Sequence, residues 1–407
     1  MKKLYRALKF ILNKLGALLR ILFGFLVRCI RAINRRKRYA IPFYSILAYI
    51  FLVILVIKIS GDSSYDRVIP NKRINDVTKI NPIHVGREVS PQTIEEIIEA
   101  IKSSKGPISI GGGRFSMGGQ IGYENSLHID MRKFNKILRL DTVAKQVTVQ
   151  AGIVWRDLQK VVDRHNLSIK IMQTYANFTV GGSVSVNCHG RYIGHGPIVS
   201  SVLELKLVTA SGEVMTANRN QNPEVFATAI GGYGGIGVLV EVTLQLVDNV
   251  KVERQTSLVQ VNDYNDFFNS TIRNDKTVIF QNGDLYPPNF DLINSVAWRK
   301  TDKALTDTVR VNPAGENYWL ERQVMRLVSS GKAGKWIRRN WIDPILYRSE
   351  KVLWRNREAS YDVAELEPKS REESTYVLQE YFIPVNSIRS FIPKMKAIYD
   401  RYHVNII

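Results

Sequence analysis

The run Gly111-Gly112-Gly113-Arg114-Phe115-Ser116-Met117-Gly118-Gly119 follows the short stretch Pro107-Ile108-Ser109-Ile110. A strand that empties into glycines brings bare backbone against a phosphate. Glycine reaches positive φ without a Cβ penalty, and successive unhindered N–H groups can turn inward as an anion-binding nest. Two further clusters follow. One is Thr179-Val180-Gly181-Gly182-Ser183, running on to Cys188-His189-Gly190, and the other is Gly231-Gly232-Tyr233-Gly234-Gly235-Ile236-Gly237. A lone glycine run reads as a surface turn. Three of them need a common cause, and one extended nucleotide bound by several glycine loops supplies it.

Periodic elements must position these loops. Ser90-Pro91-Gln92 opens a helix with Ser at the cap, Pro at the first position, and Ile94, Ile97, Ile98 and Ile101 on one face. It leads through Lys105-Gly106 into the strand before the first glycines. Leu127 to Asp130 and Gln146 to Gly152 read as strands, and Trp155, Leu158, Val161 and Val162 as one face of a helix. Val202 to Thr209 alternates and reaches a tight turn at Ala210-Ser211-Gly212-Glu213; Leu239 to Leu246 alternates again. From about Lys251 the glycines thin out and Trp, Tyr and Arg become common, which sets a domain boundary: 81–250, then 251–407. The class is α+β.

The formal net charge of +20 suggests a nucleic-acid binder until its distribution is read. Residues 1–60 hold 13 Lys/Arg and no Asp/Glu, leaving +7 for the remainder, so no nucleic-acid partner is expected. Ile41 to Ile59 is apolar except for Pro42, Ser45 and Lys58, which matches a single transmembrane helix over 39–60. Arg35-Arg36-Lys37-Arg38 just before it puts the N-terminus in the cytoplasm by the positive-inside rule. Residues 1–38 then form a basic amphipathic segment lying on the anionic leaflet, with a buried hairpin helix as the alternative, and 61–80 a linker. These readings make the membrane a partner. Two cysteines, Cys29 and Cys188, exclude a disulfide framework and a zinc site, and no metal is expected.

A Rossmann turn would need a helix to open at the third glycine. Met117-Gly118-Gly119-Gln120-Ile121-Gly122 has no helical apolar period, so that motif is rejected. The order of motifs instead resembles the FAD domain of the vanillyl-alcohol oxidase and p-cresol methylhydroxylase (PCMH-type) superfamily: Pro107 to Gly113, Thr179-Val180-Gly181-Gly182, His189-Gly190, Ser211-Gly212-Glu213, and Gly231 to Gly237 with Val242-Thr243-Leu244. Within it the nearest likeness is to arabinono-1,4-lactone oxidase and decaprenylphosphoryl-ribose oxidase, extended by Asp284-Leu285-Tyr286-Pro287-Pro288 and Leu378-Gln379-Glu380-Tyr381-Phe382. The resemblance implies a two-subdomain FAD-binding domain followed by an α+β cap over the substrate. It implies that Gly111, Gly112, Gly113, Arg114, Phe115 and Ser116 wrap the pyrophosphate. Gly181, Gly182, Ser183, His189 and Gly190 would line the flavin side, and Ile236, Gly237 and Val238 would meet the adenine end. Many family members bind FAD covalently through a histidine directly after the three glycines. Arg114 stands there and cannot make that bond, so FAD is expected to be non-covalent unless His189 or Cys188 substitutes.

The implied chemistry is hydride transfer to the flavin from a sugar, sugar lactone or polyprenyl-linked sugar, with removal of the hydroxyl proton by a protein group. Leu378 to Phe382 reads as a strand, with Gln379 and Tyr381 on one face and Glu380 between apolar neighbours on the other. Glu380, Gln379 and His189 are the catalytic candidates, with Arg191 and Tyr381 as substrate contacts. Oxygen and a quinone both remain open as electron acceptors. Reduction of a sterol-like double bond on the same fold is one alternative function, and a non-catalytic flavin-binding membrane protein is another. His403-Val404-Asn405-Ile406-Ile407 reads as mid-strand, where family members continue, so the cap is expected to be incomplete at its C-terminal end.

Overall fold

The computed structural model describes residues 73–406, apart from 317, 366, 368–370, 372–374 and 376. Strand β1 (Arg87–Val89) leads to helix α1 (Ile94–Ser103), then β2 (Ile108–Gly111) and β3 (Leu127–Asp130). The three strands form a parallel sheet with β3 in the middle. Helix α1 begins later than the Ser90 signal. Thr93 caps it, its hydroxyl accepting from the Glu96 N–H at 3.2 Å while the Glu96 carboxylate accepts from the Gln92 N–H at 2.7 Å. This reciprocal pair satisfies two N-terminal donors and outweighs a serine and proline placed further upstream.

A second, antiparallel sheet contains β4 (Ile137–Asp141), β5 (Gln146–Gln150), β7 (Val202–Val208), β8 (Val214–Asn218) and β9 (Val238–Asp248), in the order β8-β7-β9-β5-β4. The short strand β6 (Leu167–Ile169) pairs the far end of β9. Val147 and Val149 on β5, Leu205 and Leu207 on β7, and Val242, Leu244 and Leu246 on β9 alternate into one core, against which helix α2 (Trp155–Asp163) lays Trp155, Leu158 and Val162. Helix α3 (Val180–Ser185) covers the same core, although no helix is expected from Gly181-Gly182.

Only Asn249 and Val250 separate β9 from β10 (Lys251–Gln260), which starts a four-stranded antiparallel sheet with β11 (Val278–Leu285), β12 (Leu292–Lys300) and β13 (Val352–Trp354), in the order β11-β12-β10-β13. Val252, Phe280, Val296, Trp298 and Leu353 of this sheet join the core of the preceding one. A buried polar row on α2 ties in the later chain. Arg156 donates to the carbonyls of Asn312 at 2.5 Å and Tyr361 at 3.0 Å, Gln159 to that of Asn356 at 3.3 Å, and Asp163 accepts from Asn249 and Asn356 at 2.8 Å and from Arg310 at 2.7 Å. The row joins α2 to four later segments, although the Gln159 and Asn356 side-chain oxygens are buried without a hydrogen-bond partner among the described residues.

Three expectations are corrected. The membrane helix over 39–60 lies outside the described residues, as do the 1–38 segment and most of the linker. Among the described residues no helix is long and apolar enough to cross a membrane. The amphipathic helix Ile388–Arg401, for instance, has 14 residues and carries Arg389, Lys394, Lys396, Asp400 and Arg401, against the ~20 apolar residues a span requires. The described residues form the two-domain α+β fold, and no helix among them supports the expected membrane anchoring, membrane partner or single-pass topology. Second, Leu378 to Phe382 is not a strand; it runs irregular and exposed, without a described neighbour to pair its backbone. Third, His403 to Ile406 is irregular chain after a helix rather than mid-strand.

Candidate functional site

The three glycine clusters meet at one cleft of about 200 Å³ that opens to solvent. No helix follows β2, and the chain from Gly112 to Gly122 loops along one wall. The loop presses on the start of α3. The Gly113 N–H donates to Thr179 Oγ1 at 3.3 Å, and a Cβ on Gly112 would stand 2.3 Å from that same oxygen. Gly237 closes the third side at φ 153°, where a Cβ would lie 2.5 Å from the Val208 carbonyl oxygen. Glycine is required at both positions because the protein's own atoms crowd them, and this close packing draws the loops together around the cleft.

Arg114 lines the cleft, but its guanidinium is committed to protein carboxylates. At φ 61° the residue turns back toward the parallel sheet, donating to Glu88 Oε1 at 2.7 Å and Asp130 Oδ2 at 3.2 Å. Burial of Asp130 opposes its ionisation, yet hydrogen bonds from Arg132 and the charges of Arg132 and Arg114 prevail and hold its carboxyl below the usual range. His128, fully buried beside it, bonds Ser109 Oγ through Nδ1 at 3.0 Å. Burial, then the Arg114 charge, lower its pKa to about 4, so its ring is neutral at pH 7. Cys188 is likewise buried, which pushes its thiol up to about 12 and keeps it protonated.

Gln173 also lines the cleft and was missed in the sequence. Trp155 Nε1 donates to Gln173 Oε1 at 3.2 Å and to Ser183 Oγ at 2.9 Å, and the Ser183 hydroxyl donates to the same Gln173 oxygen. An indole N–H only donates, so the atom facing it is the amide oxygen, and the Gln173 NH2 takes no part in this cluster. One residue back, the Met172 carbonyl oxygen would lie 2.2 Å from a Cβ on Gly190, which brings the His189–Gly190 turn to the Gln173 end of the cleft. His189 Nε2 lies 3.3 Å from Glu380 Oε2, and its ring packs edge-on to Phe382 with centroids 5.5 Å apart. The segment bearing Glu380 arrives from the first loop: Thr375 Oγ1 donates to the Thr78 carbonyl at 3.0 Å, and the Leu378 N–H contacts Met117 Sδ at 3.0 Å.

Gly112, Gly113, Arg114, Phe115, Ser116, Gly181, Gly182, Ser183 and Gly237 line the cleft, together with Thr179, Gln120, Ser185 and Tyr233. Gly111 stands behind it against the His128 ring, and His189, Gly190, Ile236 and Val238 are not in its lining. Of the second-domain candidates, Glu380 meets His189, whereas Gln379 and Tyr381 are exposed. Arg191 is turned away from solvent: it donates to Glu358 Oε1 at 2.7 Å and to the Glu358 carbonyl at 2.8 Å, and stacks over Tyr361 and Phe280.

Residues 86–218 match the protein family described as FAD binding domain. The chain carries a PCMH-type FAD-binding domain. It is related to aldonolactone oxidases and dehydrogenases. It is 33% identical to L-gulonolactone oxidase of Bos taurus over 170 residues, covering 41% of this chain and 38% of that protein. With L-galactono-1,4-lactone dehydrogenase, mitochondrial, of Arabidopsis thaliana it shares 35% identity over 127 residues, or 31% of this chain and 21% of that protein. The putative D-arabinono-1,4-lactone oxidase of Neurospora crassa is 31% identical over 119 residues, 29% and 21% of the two chains. The similarity thus spans less than two fifths of the length of each of these relatives.

Proposed function

We propose that the chain is an FAD-dependent oxidoreductase that removes a hydride from a C–H beside oxygen on a neutral sugar or sugar lactone. The observation that carries this reading is the convergence of three glycine loops on one cleft; the His189–Glu380 pair lies outside its lining, on the turn that packs against Met172 next to Gln173. FAD, when bound, supplies the hydride acceptor. The chain's own residues hold the cofactor on bare backbone and manage the substrate's hydroxyl proton. With Nε2–H donated to Glu380, the Nδ1 lone pair of His189 is free to take that proton, and Glu380 steadies the charge that forms. The names of the relatives support a lactone. A neutral substrate is favoured over a sugar phosphate because Arg191, the cation expected beside His189, is already neutralised by Glu358. Arg114, spent on Glu88 and Asp130, supports non-covalent FAD.

The test begins with acid precipitation of the purified protein, which should release its flavin into the supernatant. Anaerobic mixing with L-gulonolactone, L-galactono-1,4-lactone or D-arabinono-1,4-lactone should then bleach the bound flavin. Flavin that stays in the pellet refutes the non-covalent reading. Flavin that is retained but bleached by none of these overturns the assigned substrate class.

A further inference from the structure

Tyr233 sits in the third glycine loop in a backbone conformation that suits its neighbours better than itself. Its φ is 52°, within the left-handed region, where a bulky side chain is an outlier. Gly232 and Gly234 flank it, so glycine was an available residue type for this turn. The loop backbone is fixed on both sides: the Tyr233 N–H donates to the Ser185 carbonyl at 3.0 Å, and a Cβ on Gly234 would stand 3.0 Å from the Ile110 side chain. Ser185 and Ile110 both line the cleft, and Tyr233 lines it with them. Yet the tyrosine is 66% exposed, so it neither fills a core nor gains much from burial. A strained backbone carrying a large aromatic ring into open space at a ligand cleft marks a group whose partner is the ligand.

We infer that Tyr233 covers one of the two aromatic ring systems of FAD, stacking on it at the rim of the cleft. The inference rests on the cleft being the FAD site. Stacking of a base-like ring on an aromatic side chain is strong enough to show in affinity and indifferent to hydrogen-bond pattern. Removing the ring should therefore weaken FAD binding while relieving the backbone.

The experiment uses the full chain stripped of flavin, titrated with FAD and separately with FMN, and followed by flavin fluorescence, alongside thermal melts. Tyr233→Gly should raise the Kd for FAD about tenfold or more, while the melting temperature of the flavin-free protein stays level or rises. Tyr233→Phe should bind as the wild type does. A loss of FAD affinity with unchanged FMN affinity assigns the ring to adenine, and a loss for both assigns it to the isoalloxazine; either supports the inference. FAD affinity within twofold of wild type in Tyr233→Gly overturns it, as does a lowered melting temperature without flavin, which would make the tyrosine structural. A wild-type chain that binds no FAD would refute the cofactor reading itself, a failure distinguishable from that of this inference.

Discussion

Substituting Gly112→Ala should break the contact between the first two glycine loops. The added Cβ would stand 2.3 Å from Thr179 Oγ1, where ordinary contact begins at 3.4 Å, so one side has to give by about 1 Å. Both sides are held: β2 runs straight into the loop, and Thr179 precedes α3, whose Val180 and Val184 are fully buried. Overpacking of this kind costs ~1–3 kcal/mol. The backbone at residue 112 is not left-handed, so alanine meets this clash alone. Thr179→Ala by itself loses the Gly113 N–H bond, at ~0.5–1.5 kcal/mol, and no capping bond, because the Thr179 side chain makes none to α3. In the double variant the nearest remaining atom is the residue-179 Cβ at 3.4 Å, an ordinary contact. The two costs should then fail to add, with a favourable coupling of ~1–2 kcal/mol measured by urea unfolding of the flavin-free protein. FAD affinity should fall in Gly112→Ala and recover in part in the double variant. Strictly additive costs, or undiminished FAD binding in Gly112→Ala, would refute this account of why glycine stands there.

Three other outcomes are expected. His189→Asn and Glu380→Gln should each slow lactone-dependent flavin bleaching, the histidine change by ~10²–10⁴-fold and the glutamate change by less, with FAD affinity unchanged; stopped-flow absorbance and a binding titration check both. Gln173→Leu keeps the bulk but removes the amide of a cleft-lining residue, and should raise the Kd for FAD about tenfold, with Trp155→Phe producing a smaller rise. His128 is lowered to about 4 in the folded protein against 6.5 when unfolded, so between those values the unfolded chain binds more protons. Its contribution is complete above pH 6.5 and is lost as pH falls toward 4, by at most ~3 kcal/mol. Melting temperatures over that window should fall less steeply in His128→Gln than in the wild type.

Much of the fold was legible because apolar alternation and turn residues carry it locally: β2, β3, β5, α2, β7 and β9 lie where the pattern puts them. Helix α3 was not legible, because two adjacent glycines oppose a helix that only tertiary packing on the core sustains. The glycines of the cleft announced themselves by composition; the side chains that finish the site did not. Gln173 owes its orientation to Trp155 and Ser183, 18 and 10 residues away, Arg191 its neutralisation to Glu358, 167 residues on, and His189 its carboxylate partner to a residue 191 positions later. Periodicity carries no trace of such pairs. The Leu378–Phe382 strand failed for a related reason: alternation describes a segment fit for a sheet, not whether a neighbouring strand is there to receive it.

The two halves of the site rest on different supports. The cleft walls are tied into buried structure: Gly181 and Ser183 lie within a helix on the core, Thr179 is buried, and Arg114 is anchored through the nearly buried Asp130. Disturbing them should move stability and cofactor affinity together, since the same packing supplies both. The reaction side rests on exposed contacts. His189 and Glu380 keep 41% and 51% of their side chains accessible, and Leu378 and Phe382 beside Glu380 are 67% and 82% exposed. A hydrogen-bonded pair so open to water contributes little to stability, so the alignment of Nε2 with Oε2 has its value in chemistry rather than in folding. That asymmetry is what makes the assignment of roles separable: Gly112 and Thr179 report on the cradle, Glu380 on the proton, and a substitution on one side should leave the other side's readout in place.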